Sequence, residues 1–377
     1  MIARFERLKV LFIIDNAGAL GGAERFVTGL ALHMPRDRIE PWVCSTRHGE
    51  PLAIEELSRA GIPHLEIGRQ AKWDVHRLRA LVGMMRRERF DVVHAHKFGS
   101  NIWGSLIGRG CRVPVILAHE HNWSYDGARL RVWIDGQVIG RLATRFIAVS
   151  EANRERMITL EGVPAAKVLV MPTGYIPHPG PATGDIRVEL GIPRNAPLIG
   201  VAAGLREEKA LDVMLEAFAG ILGEVDGVHL VIAGDGPCRA ELECRIGQLG
   251  IAGSVHLLGM RSDVDSILRH VNVGAMSSDW EGMPLFVFEC MATDTPLVAT
   301  SVGGLPEIVD DGETGLLVPP RDPVALGVAM ATVLNDRGLA ERLATAAAGH
   351  LGRYRIDTVA SSFADLYDGL IAESRSL

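Results

Sequence analysis

Short β-branched runs alternate with amphipathic stretches along most of the chain. Strands are predicted at 9–14, 41–44, 91–94, 115–118 and 145–149, with helices at 23–33, 75–87 and 101–109 between them. The alternation stops at 172–184, where four prolines and three glycines fall within 13 residues. Regular structure does not persist through such a stretch, which reads as a linker. Strands resume at 198–203, 228–233, 255–258, 271–275, 296–300 and 315–318, again interleaved with helices. Strand, crossover helix, strand implies parallel sheets covered on both faces. The expected fold class is therefore α/β, with two doubly wound, Rossmann-like domains facing across a cleft. Residues 1–172 make the first, 173–184 the linker and 185–355 the second. Ligands of such sheets bind beyond the carboxyl ends of the strands.

Composition narrows the class. With 377 residues, 47% apolar and 23% charged, the chain is neither disordered nor fibrous. Its longest apolar runs, 10–14 and 113–118, are far shorter than the ~18 residues of a membrane span. Arg4, Glu6, Arg7 and Lys9 interrupt the start, so no signal peptide is expected. The five cysteines form no C-x-x-C, which gives neither a disulfide framework nor a zinc cluster and makes the cytoplasm the expected location. The net charge of −7 speaks against a nucleic-acid partner. It is unevenly spread, because residues 1–175 carry 25 Lys and Arg against 18 Asp and Glu, and residues 176–377 carry 14 against 28. A basic half joined to an acidic half suggests two domains with different partners.

The densest candidate chemistry is Asp279-Trp-Glu-Gly-Met-Pro-Leu-Phe-Val-Phe-Glu-Cys-Met-Ala292, followed by Pro296-Leu-Val-Ala-Thr-Ser-Val-Gly-Gly-Leu-Pro-Glu307. Glu281 and Glu289 are separated by seven residues. Pro284 suits the first turn of a helix, leaving Glu281 and Gly282 in the loop before it. Free amides around Met283, Pro284 and Leu285 would make an anion site for a phosphate or a polar sugar. Glu289 would stand about 7 Å further along the axis, at ~1.5 Å per residue. One carboxylate could then face a sugar and the other a ribose, with a diphosphate between them. A buried amphipathic helix with an acid at its start would look similar.

This stretch resembles the signature of family-4 glycosyltransferases, retaining enzymes of the GT-B fold that use nucleotide-diphosphate sugars. The similarity runs over nearly the whole chain. Gly21-Gly-Ala-Glu-Arg25 resembles the family's N-terminal glycine loop, Asp91-Val-Val-His-Ala-His96 its D-h-V-H-x-H segment (h, hydrophobic), and Ala233-Gly-Asp-Gly-Pro237 its G-x-G-P turn. Gly312-Glu-Thr-Gly-Leu-Leu-Val-Pro-Pro320 resembles the loop after the second glutamate. The resemblance implies that a closing helix, 356–377, packs back on the first domain. It implies that Glu289 holds the ribose, that Glu281 with Gly282 to Leu285 holds the sugar, and that Arg206 and Lys209 neutralise the diphosphate. Gly21 and Gly22 would let backbone approach a ligand. Base contacts would come largely from backbone around Gly234, Gly236 and Arg261. Gly204 occupies the family's commonest arginine position, with Arg206 two residues later. Thr173, Cys290 and Asp294 also depart from the usual pattern, which bears on packing more than on chemistry.

The family places a histidine near the reacting sugar. In Ala118-His-Glu-His-Asn122, His121 fits by its neighbours, and His119 remains an alternative by spacing. His94 and His96 share a strand face, with His96 nearer the strand end. No metal and no cofactor is expected, since no D-x-D ends a strand and arginine and lysine can take over a cation's work. The expected function is a retaining glycosyltransferase, moving a sugar from a nucleotide-diphosphate sugar to a glycan, lipid-linked or small-molecule acceptor in cell-surface polysaccharide or glycolipid synthesis. A dinucleotide-dependent oxidoreductase is an alternative, although Asp15-Asn-Ala-Gly-Ala-Leu-Gly-Gly22 lacks G-x-G-x-x-G. A non-catalytic nucleotide- or sugar-binding protein is another. Finally, Lys72, Arg77, Arg79, Arg86 and Arg87 surround an apolar stripe of Leu78, Leu81, Val82 and Met85. The stripe belongs to a core, and the exposed arginines could rest on an anionic membrane surface at its cytoplasmic face.

Overall fold

The computed structural model describes residues 7–18, 21–71, 74–121, 128–177 and 184–376. The chain divides into two compact units, one of residues 1–176 with 354–377 and the other of residues 177–353.

Each unit is built on a parallel sheet. The first has seven strands: β1 (Leu8–Ala17), β2 (Ile39–Gly49), β3 (His64–Glu66), β4 (Val92–His96), β5 (Val115–Glu120), β6 (Arg145–Ala148) and β7 (Val168–Val170). Their order is β3-β2-β1-β4-β5-β6-β7. The second has six: β8 (Leu198–Ala202), β9 (His229–Ala233), β10 (Val255–Gly259), β11 (Val273–Met276), β12 (Leu297–Thr300) and β13 (Leu316–Val318), ordered β10-β9-β8-β11-β12-β13. The direction of winding reverses between β1 and β4 in one sheet and between β8 and β11 in the other. These are the switch points at which doubly wound sheets hold ligands.

Alternation along β1 divides the first core into two layers. Val10, Phe12 and Ile14 face one layer with Phe26, Leu30, Val115 and Leu117. Leu11 and Ile13 face the other with Leu81, Met84, Met85, Val93 and Ile116. The first layer is completed by helix Ile356–Ser376, whose Val359, Phe363, Tyr367, Leu370 and Ile371 pack against helix Gly22–His33 and the sheet. The chain returns to this unit through a parallel bridge between Tyr175 and Arg355.

Three details differ from the sequence reading. The strands β3 and β7, three residues each, lie at the two edges of the first sheet and carry too little pattern to be read. The basic segment opens as a 3-10 turn, Val75–Leu78, before helix Arg79–Glu88. Its buried stripe is Leu78, Leu81, Met84 and Met85, with Val82 half-buried and Arg77, Arg79, Arg86 and Arg87 exposed. Lys72 lies outside the described residues. Among the described residues, no helix is long and apolar enough to cross a membrane.

A π-helical turn, Asp135–Ile139, interrupts the helix after β5. It carries Asp135, 1% exposed, both of whose carboxyl oxygens lack a hydrogen-bond partner among the described residues. Burial, reinforced by repulsion from Glu120 and Glu161, pushes the Asp135 carboxyl up to about 9, with Arg131 opposing.

Candidate active site

In the second unit the candidate residues gather at the switch point. Beyond β8 the chain passes Gly204 and Arg206 into a 3-10 turn, Glu207–Lys209. Beyond β11 it passes Ser277 to Pro284 into helix Leu285–Ala292. The two loops meet in an ion pair, with Lys209 Nζ 2.6 Å from Glu281 Oε1. Ser278 Oγ donates to the same carboxylate oxygen at 2.6 Å. Ser277 Oγ donates to the Lys209 carbonyl at 2.9 Å, and Thr300 Oγ1 to the Ser278 carbonyl at 2.6 Å. Side chains beyond two strand ends thus hold the carboxylate, and Thr300 at a third holds the Ser278 backbone. Glu281 is only 3% exposed, so its charge needs the lysine and hydroxyl beside it.

Gly303, at φ +53, closes over the same loop. A Cβ there would stand 1.8 Å from the Glu281 carbonyl oxygen. No side chain fits, and the Gly304 amide donates to that carbonyl at 3.2 Å.

Pro284 does not occupy the first helical turn. It is the N-cap, with φ −75 and ψ 131, and the helix begins at Leu285. The missing N–H is lost at a position that has no intrahelical partner to offer it. Gly282 and Met283 are buried, while Pro284 and Leu285 are half-buried. Glu289 is the fifth residue of the helix and 4% exposed. Both glutamates of the signature therefore sit on buried, ordered backbone.

The remaining candidates of this unit differ in their surroundings. Arg206 is exposed, and Gly204 beside it is exposed too. Gly234, at φ +144, bridges to Gly259 with its amide 2.8 Å from the Gly259 carbonyl. A Cβ on Gly234 would stand 1.9 Å from the Ala203 carbonyl oxygen, and one on Gly236 would stand 2.4 Å from that of Leu205. Both glycines let the loops after β8 and β9 touch. Arg261 spends its guanidinium on Glu189 and Asp263, at 2.7 to 3.1 Å, which leaves its backbone as the part suited to a base.

In the first unit, Gly21 is the N-cap of helix Gly22–His33, and its carbonyl accepts the Arg25 amide at 2.7 Å. Four imidazoles line up across the carboxyl ends of β4 and β5. His96 and His119 pair in register. His94 Nε2 is 3.2 Å from His119 Nδ1, and His96 Nδ1 is 3.0 Å from His121 Nε2. His94, His96 and His119 are fully buried, whereas His121, one residue past β5, is half-buried. Of the two alternatives of the sequence, His119 lies within β5 and His121 just beyond its end. Burial, then the Lys97 charge, pushes the His121 imidazole down to about 3, so it is neutral and can accept or donate.

Sequence reasoning singled out none of the hydroxyls of Ser277, Ser278 and Thr300, the first two of which belong to no motif. It also missed Asp15 and Lys97 at the ends of β1 and β4. Asp15 accepts from Thr46 Oγ1 at 2.6 Å and Ser100 Oγ at 3.2 Å, and Lys97 pairs with Glu24 at 2.7 Å. An acid closing an otherwise apolar strand was the available signal for Asp15.

Known proteins fit this arrangement. Residues 183–350 match the family described as glycosyl transferases group 1, and residues 20–177 match glycosyltransferase family 4. A D-inositol 3-phosphate glycosyltransferase of Streptomyces avermitilis is 31% identical over 317 residues, covering 76% of this chain and 67% of the relative. A UDP-Gal:alpha-D-GlcNAc-diphosphoundecaprenol alpha-1,3-galactosyltransferase of Escherichia coli is 25% identical over 279 residues, 71% of this chain and 72% of its own. The structure of Anabaena Alr3699/HepE in complex with UDP and glucose superposes with a TM-score of 0.84 over 96% of this chain and 100% of that one, at 22% identity, which speaks to fold alone. Matched along both units, the chain belongs to the family-4 glycosyltransferases of the GT-B fold and is a glycosyltransferase.

Proposed function

We propose that this glycosyltransferase takes its sugar from a nucleotide diphosphate and that the second unit holds the donor. The observation that carries this reading is the Lys209–Glu281 pair at the β8/β11 switch point. A cation and a carboxylate fixed there offer a partner to a diphosphate and a partner to sugar hydroxyls. In this reading Lys209, joined by exposed Arg206, takes up charge that develops on the departing diphosphate. Glu281 and the backbone of Gly282 to Leu285 orient the sugar, and Glu289 accepts from the ribose. Gly234, Gly236 and the Arg261 backbone border the base. The relative named for UDP-Gal supports a uridine nucleotide.

The first unit takes the acceptor, beside His121 and the Gly21–Gly22 turn. The acceptor attacks the face of the sugar that the diphosphate leaves, so configuration is retained, and a leaving-group oxygen assists deprotonation. The protein's share is positioning and electrostatic stabilisation. The relative named for a diphosphoundecaprenol substrate supports a lipid-linked acceptor. Exposed Arg77, Arg79, Arg86 and Arg87 then hold the first unit against an anionic membrane surface.

Incubation with a panel of nucleotide sugars, following nucleotide release by mass, tests the reading. Release of one nucleoside diphosphate, abolished by Lys209→Ala in a folded protein, is the expected result. Release that persists in that variant removes Lys209 from the donor site.

A further inference from the structure

The histidine cluster of the first unit carries more than one active-site imidazole requires. We propose that His94, His96 and His119 form a binding site for one divalent transition-metal ion of the zinc type. Each offers a ring nitrogen, and the three ligand atoms lie within 4.8 Å of one another. A bound ion at ~2.0–2.1 Å from each imidazole asks for separations of about 3.4 Å, so the rings would close in on it.

Two of the three rings are held from outside the cluster, by Tyr367 and by His121. His94 Nδ1 is 2.7 Å from Tyr367 Oη, which fixes the ring and leaves Nε2 turned toward His119. His96 Nδ1 is held by His121, and His96 Nε2 has no hydrogen-bond partner among the described residues. His119 Nε2 is likewise buried and without a partner. Its backbone is clamped on both sides by Asn101, whose amide nitrogen and oxygen each lie 3.2 Å from the His119 carbonyl and amide. Two orphaned nitrogens in one fully buried cluster are a vacancy in hydrogen bonding that a Lewis acid fills. Phe12, Phe26 and Phe363, all fully buried, give the site an apolar wall. Such a shell strengthens metal–imidazole attraction by excluding water. An ion there would also fix His121 through His96, so its role is to orient the imidazole at the strand end. The site is separate from the diphosphate cations, which belong to the other unit.

Cobalt titration tests this on the full chain without an affinity tag, after dialysis against dipicolinate. The expected result is visible d–d absorption that saturates at one equivalent of Co²⁺, disappears on adding Zn²⁺, and is accompanied by a rise in Tm. His96→Phe and His119→Phe should each lower cobalt affinity at least tenfold. His256→Gln, which breaks the half-buried His229–His256 pair (3.2 Å) in the other unit, should leave the titration unchanged. Absence of a stoichiometric band in the wild type overturns the proposal whether or not the variants fold. A band that survives both phenylalanine variants, or is lost with His256→Gln, overturns it as well.

Discussion

Lys209 Nζ and Glu281 Oε1 stand 2.6 Å apart across 72 residues of sequence, and the carboxylate is almost fully buried. In the proposed function the pair serves both stability and chemistry. Lys209→Ala leaves a buried carboxylate supported by Ser278 alone, a loss of about 3 kcal/mol. Lys209→Met with Glu281→Gln removes both charges and should recover most of that stability. Turnover should stay low in both proteins. Urea melts beside steady-state rates separate the two effects, and a double variant that regains turnover would remove the pair from the reaction.

Glu281→Gln alone keeps the size of the side chain and a partner for Ser278. It should spare nucleotide affinity while lowering kcat. Calorimetry with the free nucleotide, set against donor turnover, checks the split. Equal activity in wild type and variant would take Glu281 out of sugar binding.

Glu289→Ala acts on the other half of the donor. Losing a hydrogen bond to a charged group costs about 1.5–3 kcal/mol, roughly tenfold to a hundredfold in nucleotide affinity. Unaltered affinity in a folded variant would mean that Glu289 only braces its helix.

Asp135 makes stability depend on pH. Unfolded, its carboxyl titrates near ~4, whereas in the fold it is pushed up to about 9. Between those values the folded chain holds one more proton than the unfolded chain. Stability therefore declines as pH rises across that window, by about 1.4 kcal/mol per pH unit from this group. Asp135→Asn should remove this contribution, so its advantage over wild type grows from pH 5 to pH 8. Urea melts at several pH values check this, and parallel curves would show that the folded carboxyl is ionised.

Arg77, Arg79, Arg86 and Arg87 project from a 3-10 turn and the helix after it, whose apolar stripe is already buried against its own sheet. At about 1 kcal/mol per cation near an anionic surface, four give weak and reversible attachment. Sedimentation with anionic vesicles should occur at low salt, fade at high salt, and vanish when the four are changed to glutamine. Failure of the wild type to sediment at low salt would leave the helix an ordinary solvated face.

Much of this was legible in the chain itself. Eleven strands announce themselves by β-branched runs, and spacing and neighbours single out the two glutamates as candidates. What stayed hidden depends on distance in three dimensions. Nothing in the sequence near Lys209 says that it meets Glu281, or that Ser278 and Thr300 converge on the same loop. Edge strands of three residues, such as β3 and β7, are set by the neighbours they pair with and not by their own pattern. The N-cap position of Pro284 likewise turns on one ψ angle, to which a proline at either position is indifferent in sequence.

The chain leaves the first unit at Ile176 and rejoins it at Tyr354, so the second unit is an insertion within the first. Synthesis runs in one direction, which reverses the order of completion. The inserted unit has all of its residues while the first still lacks its last-made helix. Until that helix arrives, Phe26 and His94 have no Phe363 against them and His94 has no Tyr367. A chain released near residue 353 thus carries every residue of the second unit and, on the first, an apolar, histidine-lined groove. That groove is the surface a chaperone meets, and a nonsense change late in the chain makes it permanent.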